Sequence, residues 1–253
     1  MQAIILAAGF GTRLKPYTET LPKALVQCNG KAMIDHAIEY LSAQGFDHII
    51  INVHHFGELI INHINTNTYN VEILISNERD QLKDTGGALV AALPLMRPEK
   101  EILIFNTDVI TDLDLKKLYE VHNNSGNSAS LIVQDRPSTR KLAFDENLHL
   151  TGWINYKTGD TIGSVDETKE SLYAFSGIHM IDLELIRHFA VIYGSAPFPM
   201  IPAYLSALEK YSIGAFESLP ENIWLETGDP DRLKLAEEYL KIDPEFRKNQ
   251  IAP

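Results

Sequence analysis

Apolar runs alternate with segments of helical periodicity through the first half of the chain. Four runs have the length and composition of strands buried on both faces, and they occupy residues 3–8, 48–53, 71–76 and 101–105. Between them, apolar residues recur at helical spacing around residues 33–41, 58–64 and 86–93. This alternation predicts a mostly parallel central sheet with helices on both faces, which is a three-layer α/β fold.

The pattern in the second half is less regular. Weak alternation through residues 123–170 predicts a meander of antiparallel strands, with a clearer strand at 129–133. The apolar strand at 173–181 is interrupted by Ser176-Gly177, which suggests that a ligand approaches the backbone there. Short strands are predicted at 213–216 and 223–225. Helices are predicted at 182–189, 196–211 and 229–244, the last with Asp229 as N-cap and Pro230 at its first position.

The composition is that of an ordinary globular protein. The 253 residues, 45% of them hydrophobic, suffice for one large α/β domain, which we favour over two small ones. No apolar run approaches the ~20 residues of a membrane span, and a strand directly after Gln2 leaves no room for a signal peptide. We therefore expect a cytoplasmic protein with no membrane partner. The single cysteine, Cys28, excludes an intramolecular disulfide, and we interpret it as structural.

The first strand runs into a loop suited to bind phosphate. Gly9 and Gly11 follow it, and Arg13 and Lys23 come before the next apolar run. Glycines at the end of a strand let backbone N–H groups approach an anion, and nearby cations supply the countercharge. The loop sequence matches neither a P-loop nor a dinucleotide-binding fingerprint. Leu14 stands where the fingerprint needs a third glycine or an alanine. In the alternative interpretation, the two glycines serve only a tight turn.

The net charge of -12 bears on the partners of such a loop. It argues against nucleic acid, because binding there depends on lysine and arginine neutralising phosphates. An acidic protein that binds a triphosphate must concentrate its cations locally and recruit a divalent metal ion. Carboxylates near the loop are therefore candidate metal ligands.

The run L-A-A-G-x-G-T-R-L-x-P-x-T followed by P-K-A-L resembles the signature of the sugar-phosphate nucleotidyltransferases, which make nucleotide sugars. The resemblance implies a Rossmann-like fold of the nucleotide-diphospho-sugar transferase or GT-A type. In that family the loop wraps the triphosphate, with an arginine and a lysine on phosphates, here Arg13 and Lys23. The nucleotide-binding residues predicted in this stretch are Leu6, Ala8, Gly9, Gly11, Thr12, Arg13 and Lys23.

A second glycine pair follows in LKDTGGALVAAL, residues 82–93. Asp84 or Thr85 is suited to cap a helix whose first turn holds Gly86 and Gly87. Each glycine weakens that helix by up to ~1 kcal/mol, so a compensating gain is expected, such as close approach of a base or ribose. The resemblance adds that a similar glycine pair lies against the nucleotide base, so Thr85, Gly86 and Gly87 are predicted nucleotide-binding residues. The alternative is a simple helix entrance.

Two carboxylates are predicted to hold Mg²⁺. Asp108 follows the strand at 101–105, at the sheet edge where open α/β sheets bind ligands, and the resemblance places a metal-binding Asp here. The family pattern near residue 226 is Trp, an apolar residue, Asp, any residue, Gly, Thr, Pro. Glu226 holds the place of that Asp, and as a hard oxygen donor it still suits Mg²⁺. One of Asp112 and Asp114 is expected to cap the following helix.

The sequence gives fewer signals for the binding site of the acceptor, which is the sugar phosphate. The predicted sugar-binding residues are Asn106, Lys157 and Gly177. Gly177 is assigned because the family's S-G or T-G on this strand lines the sugar pocket. Many relatives carry a Glu-Lys-Pro that contacts the sugar phosphate; this chain has none, and Lys157 in WINYK is its substitute.

The resemblance implies one nucleotidyltransferase domain over residues 1–253. Its nucleotide-binding part is expected at about 1–122, its sugar-binding part at about 123–228 and a C-terminal helix at about 229–245. The expected substrates are a nucleoside triphosphate (UTP, GTP, dTTP or CTP) and a sugar 1-phosphate, for a nucleotide sugar used in cell-envelope polysaccharide. LPKAL, DTGG and YAFSGIHMI resemble N-acetylmuramate 1-phosphate uridylyltransferases and mannose-1-phosphate guanylyltransferase-like proteins, while the N-terminal third also resembles choline-phosphate cytidylyltransferases.

Two other functions are compatible with parts of the sequence. One is a glycosyltransferase of related topology that uses Asp112-Leu113-Asp114 as its metal motif and consumes a nucleotide sugar. The other is a non-catalytic regulator that binds nucleotide sugar through a damaged metal site, suggested by Glu226. The G-x-G-T-R loop argues against the first, because such a transferase need not hold a γ-phosphate. The oligomeric state is left open.

Overall fold

The computed structural model describes residues 1–98 and 101–242. In these residues the β-strands are β1 Gln2–Leu6, β2 Gln27–Cys28, β3 Lys31–Ala32, β4 His48–Val53, β5 Glu72–Asn77, β6 Glu101–Asn106, β7 Val109–Thr111, β8 Ala129–Gln134, β9 Arg140–Phe144, β10 Leu150–Asn155, β11 Asp160–Gly163, β12 Ser171–Asp182, β13 Ile213–Glu217 and β14 Trp224–Glu226. The α-helices are α1 Met33–Ala43, α2 Gly57–Thr66, α3 Asp84–Ala92, α4 Leu115–Ser125, α5 Leu183–Tyr193, α6 Met200–Ser206 and α7 Pro230–Ile242.

The predicted three-layer α/β fold is confirmed. Strands β5, β4, β1 and β6 pair in parallel and in that order, with Leu6 opposite both Asn52 and Asn106. Ala3 and Ile5 pack in a core with α1, α2 and α4, whereas Ile4 packs in a core with α3, α5 and α6. Side chains on both faces of β1 are therefore buried, which explains its uninterrupted apolar run.

Strand β12 joins the parallel strands to an antiparallel part. Its second half lies between β6 and β8, antiparallel to both, and its first residues pair with β9 of the β9–β10–β11 meander. The register with β8 shifts between Phe175 and His179, where Gly177 has a φ of 81°. This bulge is at the predicted strand interruption: β12 pairs with β8 on both sides of it and with β6 only after it.

Some predicted boundaries are wrong. The helix predicted over 196–211 is only α6, because Pro199 is extended as its N-cap and the chain turns after Ser206. The start of α7 is confirmed: it begins at Pro230, and the backbone N–H of Arg232 donates to Asp229 Oδ1 at 3.0 Å. The predicted end of this helix near Pro244 lies outside the described residues.

The structural interpretation of Cys28 is confirmed by its position. The side chain is fully buried in a small core between α7 and the loop after β1. Burial raises the pKa of the Cys28 thiol to about 12, and the negative charge of Glu237 contributes next. A thiol that stays protonated at neutral pH is a poor nucleophile and a poor metal ligand.

The imidazole of His179 on β12 makes stability sensitive to acid. It is buried against Phe175 and Tyr204, and neither ring nitrogen has a hydrogen-bond partner in the described structure. Burial lowers the pKa of His179 to about 3. As the pH falls below about 6.5, the unfolded chain takes up a proton that the folded chain does not, so the free energy of unfolding decreases.

Replacement of His179 by leucine is expected to remove this contribution. Urea denaturation measures the free energy of unfolding between pH 6 and pH 4. We expect it to fall less steeply with decreasing pH in His179→Leu than in the wild type, and the two slopes to differ by about 1.4 kcal/mol per pH unit. The same slope in both proteins would show that His179 is not the group that titrates.

Candidate active site

A cleft of about 1340 Å³ opens at the carboxyl ends of β1 and β6. Because these strands are adjacent and parallel, the loop after β1 and the turn after β6 meet at the same edge of the sheet. The antiparallel meander and the segment before α6 form the other walls. Seven of the predicted site residues line this cleft: Arg13, Thr85, Asn106, Asp108, Lys157, Gly177 and Glu226.

The loop after β1 folds back on itself. Thr18 Oγ1 donates to the carbonyl oxygen of Gly11 at 2.8 Å, and buried Leu14 anchors the loop in the core. A Cβ on Gly11 would lie 2.9 Å from Thr18 Cγ2 and 3.0 Å from Lys23 Cβ, and Gly11 has a φ of 63°. Gly11 therefore serves the turn and brings Lys23 back toward β1, whereas Gly9 has no atom within 4 Å of its Cβ position and is free to face a ligand.

The remaining predicted residues of this stretch lie beside the cleft lining. Leu6 ends β1, and its carbonyl oxygen accepts from the backbone N–H of Thr107 at 3.4 Å. Ala8 is buried directly after the strand, while Thr12 is exposed and begins a short 3₁₀ helix. A nucleotide contact by these three residues stays a prediction.

Two cation–carboxylate pairs lie at the cleft: Arg13, Asp108 and Glu226 line it, and Lys23, which is not a lining residue, is in contact with Asp108. Lys23 Nζ contacts Asp108 Oδ2, and Arg13 Nη2 is 3.1 Å from Glu226 Oε1. A Cβ built on Gly228 would lie 2.7 Å from Glu226 Oε1, 3.2 Å from Arg13 Nη2 and 3.3 Å from Asp108 Oδ2. The two carboxylates and both cations of the sequence prediction are thus brought together around one point.

A short strand pair brings the two distant carboxylates together. Strand β14 pairs antiparallel with β7, and Glu226 lies opposite Val109. The backbone N–H and the hydroxyl of Thr227 both donate to the carbonyl oxygen of Asp108, at 2.9 and 3.0 Å. Thr227 is fully buried, so both hydrogen bonds that hold the backbone at Asp108 are shielded from water.

The two carboxylates fit a hard divalent cation that keeps several outside ligands. In the described part of the chain, no group of three or more His, Cys, Asp or Glu side chains is arranged to hold a metal ion. Mg²⁺ commonly takes only one or two carboxylates from a protein and completes its octahedron with water and substrate phosphates. Asp108 and Glu226 are partly exposed at the cleft floor and meet that requirement.

Three arginines that line the cleft were missed by the sequence predictions: Arg136, Arg140 and Arg232. Arg232 on α7 pairs with Glu226 Oε2 and lies 3.2 Å from Asp229. The guanidinium of Arg136 is 3.9 Å from the centroid of the Trp224 ring, and its Nη2 donates to the carbonyl oxygen of Phe175 at 3.1 Å. Burial lowers the pKa of Arg136, and the positive charge of Arg232 lowers it further.

A sequence signal for Arg136 existed. Strand β8 is antiparallel to β12, which is antiparallel to β6, so β8 and β6 end at the same edge of the sheet. The rule that selected Asp108 after β6 therefore also selects Arg136 after β8. Arg232 carried no comparable signal, since its contact depends on how α7 packs.

The glycine pair at the start of α3 packs against the chain itself. The backbone N–H groups of Gly86 and Gly87 donate to the carbonyl oxygen of Phe198 at 2.9 and 3.3 Å. A Cβ on Gly86 would lie 2.2 Å from the Phe198 ring, so this close packing alone requires glycine. Asp84 Oδ1 accepts from the backbone N–H of Thr85 at 2.6 Å in the first turn of the helix. Thr85 does not cap the helix; its Oγ1 accepts from the backbone N–H of Met200 at 3.0 Å. Contact with a base stays a prediction.

On the acceptor side, Asn106 and Gly177 are in contact. A Cβ on Gly177 would lie 2.3 Å from Asn106 Nδ2, so glycine is required for the side chain of Asn106 to reach the cleft. Lys157 lies just after β10, exposed at the cleft rim. A sugar contact by these three residues stays a prediction.

The aspartates of Asp112-Leu113-Asp114 have structural roles. Asp114 caps α4 by accepting from the backbone N–H of Lys117 at 2.9 Å, as predicted for one of the pair. Asp112 accepts from the backbone N–H of Ile223 at 2.8 Å and thereby holds the segment that leads to β14. Neither residue lines the cleft, so the structure does not favour the glycosyltransferase alternative.

An α/β sheet with a cationic glycine loop and paired carboxylates at one edge is suited to bind a phosphate-bearing ligand. Residues 2–144 match the family described as "Nucleotidyl transferase". An N-acetylmuramate alpha-1-phosphate uridylyltransferase of Caulobacter vibrioides is 28% identical over 251 residues, 94% of this chain and 96% of that protein. A mannose-1-phosphate guanyltransferase of Aspergillus fumigatus is 27% identical over 240 residues, 91% of this chain and 61% of that protein.

The fold has a close counterpart among solved structures. HddC from Yersinia pseudotuberculosis complexed with GMP-PN superposes with a TM-score of 0.74 at 23% identity, covering 94% of this chain and 99% of that one. At this identity the likeness concerns the fold. The family match spans more than half of the chain, and the chain therefore belongs to the nucleotidyl transferase family. The resemblance inferred from the loop is confirmed.

Enzymes of this family generally use a divalent metal ion and bind a nucleoside triphosphate and a sugar 1-phosphate. In the described residues, no helix combines the length and apolar character needed to cross a membrane.

Proposed function

We propose that the protein is a Mg²⁺-dependent sugar-1-phosphate nucleotidyltransferase. It joins a nucleoside triphosphate to a sugar 1-phosphate and releases a nucleotide sugar and pyrophosphate. The observation that carries this function is that Arg13, Asp108 and Glu226 line one cleft, with Lys23 paired to Asp108. The sugar-1-phosphate enzymes among the named relatives support it.

The reaction is an in-line displacement at the α-phosphorus. An oxygen of the sugar 1-phosphate forms a bond to the α-phosphorus, and the bond from that phosphorus to the bridging oxygen of the β-phosphate breaks. Both partners are anions, so the protein contributes positioning and charge neutralisation, and no protein nucleophile is required. We assign Arg13 to the leaving β- and γ-phosphates and Lys23 to the α-phosphate. Asp108 and Glu226 would hold Mg²⁺, which neutralises phosphate charge when bound.

The acceptor is assigned to the wall formed by β6, β12 and the meander. Asn106 and Gly177 lie beside Asp108 at the end of β6, where the sugar must approach the α-phosphate. Arg136 is near the reaction centre, because it stacks on Trp224, two residues before Glu226. We assign Arg136 and Lys157 to the phosphate of the acceptor, with the planar guanidinium as the stronger binder.

The relative from Caulobacter vibrioides, which this chain matches along nearly all of that protein's length, makes UTP and N-acetylmuramate 1-phosphate the first substrates to test. GTP with mannose 1-phosphate comes next. A cytoplasmic location and a product used in cell-envelope polysaccharide belong to the same proposal.

The test is pyrophosphate release with Mg²⁺ across UTP, GTP, dTTP and CTP, each combined with a panel of sugar 1-phosphates and with phosphocholine. Release with a sugar 1-phosphate supports the function and names both substrates. Triphosphate binding without release across the panel would favour the regulator instead.

Two glycine substitutions separate the phosphate-binding role of the loop from its folding. Gly9→Ala places a methyl group where the protein has no atom within 4 Å, and Gly9 is not in the left-handed region. We expect the free energy of unfolding to change by less than about 0.5 kcal/mol, while KM for the nucleoside triphosphate rises about 10-fold, a loss typical of one hydrogen bond to a charged group.

Gly11→Ala is the matched comparison. Its φ of 63° and the crowding by Thr18 predict a loss of stability of about 1–2 kcal/mol. Chemical denaturation and initial rates measure the two effects. An unchanged KM in Gly9→Ala would contradict triphosphate contact at Gly9.

A further inference from the structure

The meander β9–β10–β11 presents an ordered face to the cleft. Directly paired residues of neighbouring antiparallel strands lie on the same face of a sheet. Leu142, Trp153 and Ile162 form one such row across the three strands, and Arg140, Asn155 and Asp160 form the next row. All of these residues except Asp160 line the cleft.

The two rows differ in chemistry. Trp153 and Ile162, with buried Leu142 in the same row, provide an apolar and aromatic surface of the kind that packs against the apolar face of a sugar ring. The second row is polar: Asn155 Oδ1 accepts from the backbone N–H of Lys157 at 3.1 Å, which leaves the amide Nδ2 for a ligand. Arg140 is exposed, and its guanidinium has no hydrogen-bond or ion-pair partner in the described part of the chain.

The cleft has more cations than the assigned reaction uses. Its lining includes Arg13, Arg136, Arg140, Lys141, Lys157 and Arg232 but only two carboxylates, Asp108 and Glu226, although the protein has a net charge of -12. Arg13 and Arg232 pair with Glu226, and Lys141 lies 3.8 Å from Asp135. With Arg136 and Lys157 assigned to the acceptor phosphate, Arg140 is left over.

We propose that the acceptor carries a second anionic group, a carboxylate, and that Arg140, assisted by Asn155, binds it. The inference rests on the proposed function and specifies its substrate class: a sugar 1-phosphate whose ring packs on the Trp153 row and whose carboxylate reaches the adjacent row. A guanidinium suits this task because its planar fork pairs with both oxygens of a carboxylate.

Matched acceptors test the proposal. N-acetylmuramate 1-phosphate differs from N-acetylglucosamine 1-phosphate only by an ether-linked lactyl group with its carboxylate, and glucuronate 1-phosphate differs from glucose 1-phosphate by oxidation of the hydroxymethyl group. Pyrophosphate release is measured for both pairs with the wild type, Arg140→Gln and Arg140→Lys. Arg187→Gln is the control, because Arg187 is exposed on α5 and does not line the cleft.

The wild type is expected to prefer the carboxylated member of at least one pair. Arg140→Gln is expected to lower kcat/KM for that acceptor about 10- to 100-fold, the loss typical of a hydrogen bond to a charged group. For the counterpart that lacks the carboxylate, kcat/KM is expected to change less than about 3-fold. Arg140→Lys keeps the positive charge but loses the planar guanidinium. Its kcat/KM for the carboxylated acceptor is expected to lie between those of the wild type and Arg140→Gln.

Equal rates with both members of each pair, or an equal loss for both members in Arg140→Gln, would overturn the inference and leave the proposed function standing. Absence of pyrophosphate with every acceptor would overturn the proposed function and the inference with it.

Discussion

Asp108→Asn is expected to lower kcat about 100- to 1000-fold, the range found when one preorganised electrostatic group is removed from an active site. The substitution keeps the shape of the side chain and removes the negative charge that the metal ion and Lys23 require. The fold is expected to be unaffected, because the contacts that hold this position are made by the carbonyl oxygen of Asp108 with Thr227. Pyrophosphate release at saturating substrates and Mg²⁺ measures kcat.

Asp114→Asn is the matched control for this substitution. It makes the same chemical change a few residues downstream, where the side chain caps α4 and does not line the cleft. Asparagine is about as good an N-cap as aspartate, so stability and kcat are expected to stay near the wild-type values. Near wild-type kcat in Asp108→Asn at saturating Mg²⁺ would exclude Asp108 as a metal ligand.

The position of Asp108 was accessible from sequence because it depends on local pattern alone. A buried strand is recognisable by its apolar run, and the residue that follows it must lie at the sheet edge where ligands bind. The buried strands of the parallel sheet are therefore the part of the fold that was predicted well. Arg136 obeys the same rule, but its strand lies in the irregular part of the pattern, where the direction of β8 was not predicted.

Contacts set by packing between distant segments were not predictable in this way. Glu226 was found only through a family pattern, and its approach to Asp108 depends on the three-residue strands β7 and β14, which are too short to leave a periodic signal. Gly86 shows the reverse case: the sequence indicates that something approaches its backbone, and the structure shows that the Phe198 ring does so. A glycine in the sequence indicates that some group approaches the backbone closely, but it does not show which group.

Glu226 is the residue at which this chain departs from the family pattern, and its carboxylate is the second to be tested. Glu226→Gln is expected to lower kcat about 100-fold and to raise the Mg²⁺ concentration for half-maximal rate, because the amide is a weaker ligand for a hard cation. The substitution also removes the charge that pairs with Arg13 and Arg232, which frees the guanidinium of Arg13 for phosphate and leaves Arg232 paired with Asp229 alone. An increased affinity for the triphosphate in the absence of metal is therefore expected alongside the loss of kcat.

Glu226→Asp distinguishes a working metal site from a damaged one. If glutamate is the functional ligand here, aspartate keeps the charge but is one methylene shorter. It then draws the oxygens away from Arg13, so kcat is expected to fall, by less than about 10-fold, and to recover partly at high Mg²⁺. Initial rates over a Mg²⁺ titration show whether kcat decreases from the wild type to Glu226→Asp and further to Glu226→Gln. A wild type that binds triphosphate without turnover, together with a Glu226→Asp variant that gains turnover, would identify the chain as a binding protein with a disabled metal site.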